Sequence, residues 1–280
     1  MIAAIGGLLL AAALSVKVDE QKQQYTIEDN GRPVLTYNFG TVPVPAGVKG
    51  QYAVARGDYI HPLYGPGGEM LTRDYSPDHP HHRGLYWAWP EVTYKGEKRD
   101  LHALQGVFAR PVKMQRHTGG IIAAENVWKW DDKEEIVRER SFINVYPVID
   151  GLRVIDFAFH FEALVPGVTI ARRHQDAYGG FNCRFSTREH QKIVTNRAWA
   201  VITGVPPDGK KPVSVGVVQR KTNPEFPGDW IQYPNLNWLQ PTFPAKGKAY
   251  ELKPGTPLDL EYRLVISAGE LDAATMEKLQ

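Results

Sequence analysis

The chain has 280 residues, enough to bury a substantial core, and is 42% hydrophobic and 23% charged with a formal net charge of +2. A balance this even excludes the basic surface that neutralises phosphates, and with it a nucleic-acid partner. The 21 prolines, 26 glycines and 11% aromatics suit short strands joined by many turns.

The N-terminus reads MIAAIGGLLLAAALSVKVDE. Ile2 to Leu14 are uncharged and apolar, the length of a signal-peptide core and too short to span a bilayer. Ala11, Ala13 and Ser15 offer small-residue cleavage sites, so residues 1–15 are expected to be a leader, with one domain over 16–280. Export to the periplasm or the extracellular space follows. No Lys or Arg precedes the run, which leaves the α-amino group as its positive charge and a buried N-terminal element as the alternative. No other stretch is long enough to cross a membrane.

Residues 24–39 alternate and turn at Asn30-Gly31, a strong hairpin signal. Residues 59–75, YIHPLYGPGGEMLTRDY, read as a long loop between turn-forming Gly-Pro clusters; it supplies His61 and Arg73. Residues 136–164 form a longer hairpin turning at Asp150-Gly151. On its return strand Phe157, Phe159 and Phe161 share one face, and Ala158, His160 and Glu162 the other. In GGFNCRF, Asn182 and Arg184 share a face opposite Phe181 and Cys183. The single cysteine, Cys183, has no partner for an internal disulfide and reads as a small buried strand residue. A third hairpin turns over Pro206 to Lys211, a strand covers 258–267, and GELDAATMEKLQ is a short C-terminal helix with Glu270 and Asp272 at its positive end. No repeat or low-complexity linker appears. The expectation is an all-β chain, a large single-domain antiparallel β-sandwich with one short C-terminal helix.

The chemistry concentrates in SPDHPHHRGLYWAW, residues 76–89. Its two prolines rule out helix. In an extended chain His79 and His81 point the same way and His82 the opposite way. One reading is acid–base catalysis by His79, His81 and His82, with Asp78 orienting an imidazole and Arg83 holding an oxyanion. Another is a divalent metal ion on His79 and His81, completed by His61, Asp78 or a distant Glu. A third is a Pro-rich loop whose polar side chains only cap turns. The cupin pattern fails, because the next carboxylate after the histidines is Glu91. His61, Arg73 and the inward Asn182–Arg184 pair suit sugar hydroxyls or a carboxylate, and Trp87 could stack on a pyranose face. GPGG is followed by no Lys-Ser/Thr, so it is not a phosphate loop. No G-x-S-x-G elbow or dinucleotide fingerprint occurs.

Three stretches, HPLYGPGGEMLTRDYSPDHPHHRGLYWAW, AYGGFNCRF and PGTPLDLEYRLVIS, resemble the PmoA-like family of exported bacterial proteins, which carry the automatic label "methane oxygenase PmoA". The resemblance covers nearly the whole chain after the leader. It implies a β-sandwich similar to galactose-mutarotase-like domains and a place among bacterial sugar-degradation functions. The matching positions are His61, Asp78, His79, His81, His82, Arg83, Tyr178, Gly179, Gly180 and Arg184, which adds Tyr178 to the substrate-binding candidates. A particulate methane monooxygenase subunit spans the membrane several times, and this chain has no such spans. The expected function is an exported carbohydrate-active enzyme of lyase, hydrolase or epimerase type acting on a sugar, keto-sugar or oxidised sugar derivative. A non-catalytic glycan-binding or envelope protein and a metal-dependent oxygenase are the alternatives.

Overall fold

Period-two alternation of apolar and polar side chains sets the architecture, because it gives each strand one face to bury. The computed structural model describes residues 14–174, 177–186 and 188–280. Its strands form three antiparallel sheets. The first, of eight strands, runs in the order β1 (Leu14–Asp19), β2 (Gln24–Asp29), β3 (Arg32–Asn38), β4 (Tyr59–Leu63), β5 (Leu85–Ala88), β13 (Gly180–Arg184), β18 (Trp238–Pro241) and β17 (Trp230–Tyr233). The second, also of eight, runs β14 (Glu189–Thr195), β15 (Trp199–Val205), β16 (Val213–Gln219), β20 (Leu258–Ala268), β11 (Leu152–Ala163), β10 (Glu134–Val145), β9 (Ile121–Trp130) and β8 (Val107–Thr118). The third has four strands: β19 (Ala249–Leu252), β12 (Val168–Ala171), β6 (Glu91–Tyr94) and β7 (Glu97–Arg99). The one α-helix among the described residues, α1 (Ala273–Lys278), is capped by Asp272, whose carboxylate accepts from the Thr275 N–H.

The three expected hairpins form as β2–β3, β10–β11 and β15–β16, and Cys183 is fully buried in β13. One expectation falls largely outside the described residues, and one changes. Residues 1–13, most of the expected leader, lie outside the described residues, while Leu14 and Ser15 open β1. The stretch expected to be one long loop over 59–75 begins as a strand, since Tyr59–Leu63 pairs as β4 with β3 and β5.

Aromatic rings close the two large sheets on each other. On β11, Phe157, Phe159 and Phe161 are buried, as their alternation required. Phe181 of β13 meets Phe157 at 5.2 Å and Tyr262 of β20 at 5.0 Å, and Trp87 of β5 packs on Phe159 at 4.1 Å. Each fully buried ring of this kind is worth about 1.5–3 kcal/mol against exposure. A polar clamp crosses the same interior. Glu139 of β10 accepts from the indole N–H groups of Trp87 and Trp128 and from the Ser141 hydroxyl. Asp58, just before β4, accepts from the Tyr37 hydroxyl at 2.8 Å and the Asn126 amide at 3.0 Å.

Candidate active site

Beside this core the loop Ser76–Gly84 folds back against β5, β13 and β18. Pro77 and Pro80 keep it from regular structure, and two successive turns shape it, His79 N–H to Ser76 C=O and His82 N–H to His79 C=O. These turns overturn the extended reading in which His82 points away from His79 and His81. Instead His79 and His82 stack at 4.7 Å, and His81 stands edge-on to His82 at 4.5 Å. His102, from the turn after β7, joins them at 5.5 Å from His81 and 5.6 Å from His82. Trp238 of β18 lies 4.3 Å from His82, Tyr178 4.8 Å from His102 and Tyr52 5.0 Å from His81.

All of these rings line one cavity of about 590 Å3, which also receives Glu91, Lys98, Asp100 and Arg173. That is the size of a small-molecule site, with polar groups set among aromatic walls. At its rim the Lys98 ammonium pairs with Glu91 at 2.6 Å.

Burial and crowded cations decide the protonation states. Desolvation first, then His79 and the guanidinium groups of Arg56, Arg173 and Arg184, pull His81 down to about 3. Burial and neighbouring imidazoles hold His82 well below its usual range, and burial with His81 and Arg56 does the same for His102. These three rings are therefore neutral at neutral pH. The two acids are pushed in opposite directions. Burial raises Asp100 to about 6, against backbone N–H donation from Ala103 and His102. Partial burial also pulls Asp78 upward, but the Arg184 hydrogen bond and charge, with His79 behind them, outweigh it and hold the carboxyl at about 2. Arg184 reaches Asp78 at 2.8 Å, and His79 Nδ1 lies 3.3 Å from the same carboxylate.

Of the residues expected from the sequence, His79, His81, His82 and Tyr178 line the cavity, and Asp78 and Arg184 form the layer behind His79. Five do not reach it. His61 is half-buried in β4 with Nδ1 bonded to the Thr72 hydroxyl at 2.9 Å, and it is not among the residues lining the cavity. Arg73 is half-buried, and its backbone bridges to Arg184 and Gly84. Arg83 is fully buried, paired with Asp74 and packed over the rings of Tyr59 and Tyr75, so its charge is neutralised inside the protein. Asn182 is spent on the carbonyls of Tyr86 and Gly180 and on the Gln240 amide. Trp87 is core, held by Glu139 and Phe159. Among the described residues no three His, Cys, Asp or Glu side chains are placed to hold a metal ion together, and His61 does not join His79 and His81 in the cavity lining.

The sequence reading missed Asp100, His102 and Tyr52. The turn DLHALQG carries no periodicity or cluster to set it apart, and only the docking of β6–β7 beside β12 brings it to the histidines.

A family model described as "Family of unknown function (DUF6807)" matches residues 24–280. No curated protein matches the chain. Among solved structures, a polysaccharide lyase is similar at a TM-score of 0.36 and 15% identity, over 94% of this chain and 34% of the lyase, so this chain spans about a third of that protein's length.

Proposed function

The chain belongs to the DUF6807 family, whose function is unknown, and from its cavity we propose that it is an exported carbohydrate-active enzyme, of lyase, hydrolase or epimerase type, that moves a proton on a sugar or oxidised sugar derivative. The observation that carries this reading is the company kept in one cavity of about 590 Å3: neutral imidazoles, and a carboxyl, Asp100, raised to about 6. A neutral imidazole can accept a proton, and an acid poised near the working pH can donate one. His81 is the more exposed of the strongly shifted rings and takes the part of base; Asp100 takes the part of acid. His79 is oriented through Asp78, itself fixed by Arg184. Tyr178 and Tyr52, both partly exposed in the cavity wall, supply faces on which a pyranose ring can stack. The PmoA-like resemblance stays within this proposal as its link to sugar degradation.

The test is a panel of neutral sugars, sugar acids and keto-sugars incubated with the wild type, His81→Ala and Asp100→Asn, with products followed by NMR. A responsive sugar should be turned over by the wild type, and each variant should lose on the order of 10²–10⁴ in rate. Unchanged turnover in both variants would sink the assignment. A sugar that binds and is recovered unaltered would replace the enzyme reading with a glycan-binding one, for which the aromatic walls suffice.

A further inference from the structure

His102 is the imidazole of the cluster that is gripped from behind. Its Nε2 lies 2.8 Å from the Tyr86 hydroxyl. Its Nδ1 is buried and makes no hydrogen bond among the described residues, although the ring forms part of the cavity wall. Tyr86 is fully buried on β5, and its hydroxyl has no other hydrogen-bond partner among the described residues. Burial keeps that hydroxyl a phenol, against the opposing pull of Arg56.

A phenol has one proton, and a buried one must place it on an acceptor. Here the acceptor within reach is His102 Nε2. That nitrogen is then bare, and the single proton of the neutral ring sits on Nδ1. Arg56 fixes the pair from both ends. Its guanidinium lies 4.3 Å over the Tyr86 ring, while Nη1 donates to the His102 carbonyl at 2.8 Å and Nη2 to the Leu101 carbonyl at 3.3 Å. The Asn182 amide holds the Tyr86 carbonyl at 3.2 Å.

We infer that Tyr86 and Arg56 are positioning residues that hold His102 as its Nδ1–H tautomer, an uncharged hydrogen-bond donor on the cavity wall, matched to a carbonyl oxygen of the sugar. The ligand half of this inference rests on the sugar reading above; the tautomer half does not. An uncharged donor suits an oxygen that gains negative charge when a proton is removed beside it, so a keto-sugar or aldehyde form fits better than a saturated polyol. No proton is transferred from His102 in this role. It stays on Nδ1 and shortens its hydrogen bond as charge develops on the oxygen.

The tautomer is readable without any substrate. Long-range 1H–15N spectra of histidine-labelled full chain, with His102→Gln to assign the ring, should show a proton-bearing Nδ1 and a bare Nε2 at neutral pH. Tyr86→Phe should shift the ring toward the Nε2–H form that free imidazole side chains favour in water. A wild-type ring protonated at Nε2, or on both nitrogens, overturns the inference with no variant needed. So does a Tyr86→Phe spectrum identical to the wild type. For the ligand half, a keto-sugar should displace the His102 Nδ1–H resonance and its reduced polyol should not; equal shifts from both would overturn the carbonyl match. If no sugar in the panel binds, the sugar reading fails while the tautomer result stands on its own.

Discussion

Asp100 shows how a single side chain can be poor for stability and suited to function. Burial raises its carboxyl from 3.8 to about 6 in the folded chain. A carboxyl whose folded pKa lies above its unfolded value contributes stability that is fully present below the unfolded pKa and lost as pH rises through the folded one. At about pH 8 Asp100 is therefore a buried charge the fold would be better without. Asp100→Asn retains an oxygen for the Ala103 N–H, so the variant should be more stable than the wild type at about pH 8, by on the order of 1–3 kcal/mol in denaturant unfolding, and no more stable at about pH 4. Its catalytic effect runs the other way. With Asp100 as proton donor, wild-type kcat/KM should fall above about pH 6, and the variant should lose both rate and inflection. Equal stabilities at both pH values would mean that the carboxyl is solvated and no acid at all. Neither behaviour was legible in DLHALQG, because the shift comes from burial, which a local sequence does not display. The histidines were legible as a group through their density, but their partners were not.

At the scale of elements, turn chemistry was the readable part. Asn30-Gly31 and Asp150-Gly151 both take positive φ at each residue, as tight hairpins demand, and both sit where the alternation placed them. The β8–β9 hairpin escaped notice because β8 is an edge strand. Its outer half, with Lys113, Gln115, Arg116 and His117, faces solvent, and Pro111 is tolerated there by edge position, so no clean alternation survives. The loop carrying the histidines depends on a glycine that no hairpin rule identifies. Gly84 has φ +60°, and a Cβ there would stand 2.1 Å from the Ile60 carbonyl oxygen of β4. Its N–H bonds the Arg73 carbonyl, and its carbonyl accepts from the Arg184 N–H. Gly84→Ala must therefore push β5 off β4 and displace Arg184 from Asp78. The expected loss is about 2–4 kcal/mol of stability, from left-handed strain plus the clash. A melting temperature within a degree or so of wild type would show that the loop relaxes at little cost.

Across the whole molecule, two opposed titrations are built into the interior. The fold class was legible because strand alternation repeats along the chain, but the crossing of the two large sheets was not, since nothing local tells Asp58 that Glu139 lies opposite. There the two carboxyls meet. Burial, then the charge and hydrogen bond of Glu139, raise Asp58 well above 3.8, against the pull of Tyr37 and Arg56. The surrounding groups from every packed element are Tyr37, Arg56, Trp87, Asn126, Trp128 and Ser141, and of these only Arg56 carries a permanent charge. By the same linkage, the stability Asp58 contributes is complete below 3.8 and is lost as pH rises toward its raised folded value. The histidines act in reverse. His81, His82 and His102 are lowered from 6.5, so their stability is present above 6.5 and is lost as pH falls through that value toward the folded one, about 3 for His81. Stability of the wild type should therefore crest near mildly acid to neutral pH and fall on both sides. Asp58→Asn keeps the acceptor for Tyr37 and gains an amide that can donate to Glu139, so it should flatten the alkaline limb and leave the acid limb alone. His81→Gln should flatten part of the acid limb and leave the alkaline one. Thermal unfolding of the three proteins between about pH 4 and about pH 9 reads both limbs at once. If Asp58→Asn instead lowered stability across the whole range, the two carboxyls would be held by an ionised arrangement that the amide cannot replace, and the proton between the sheets would have to be placed elsewhere.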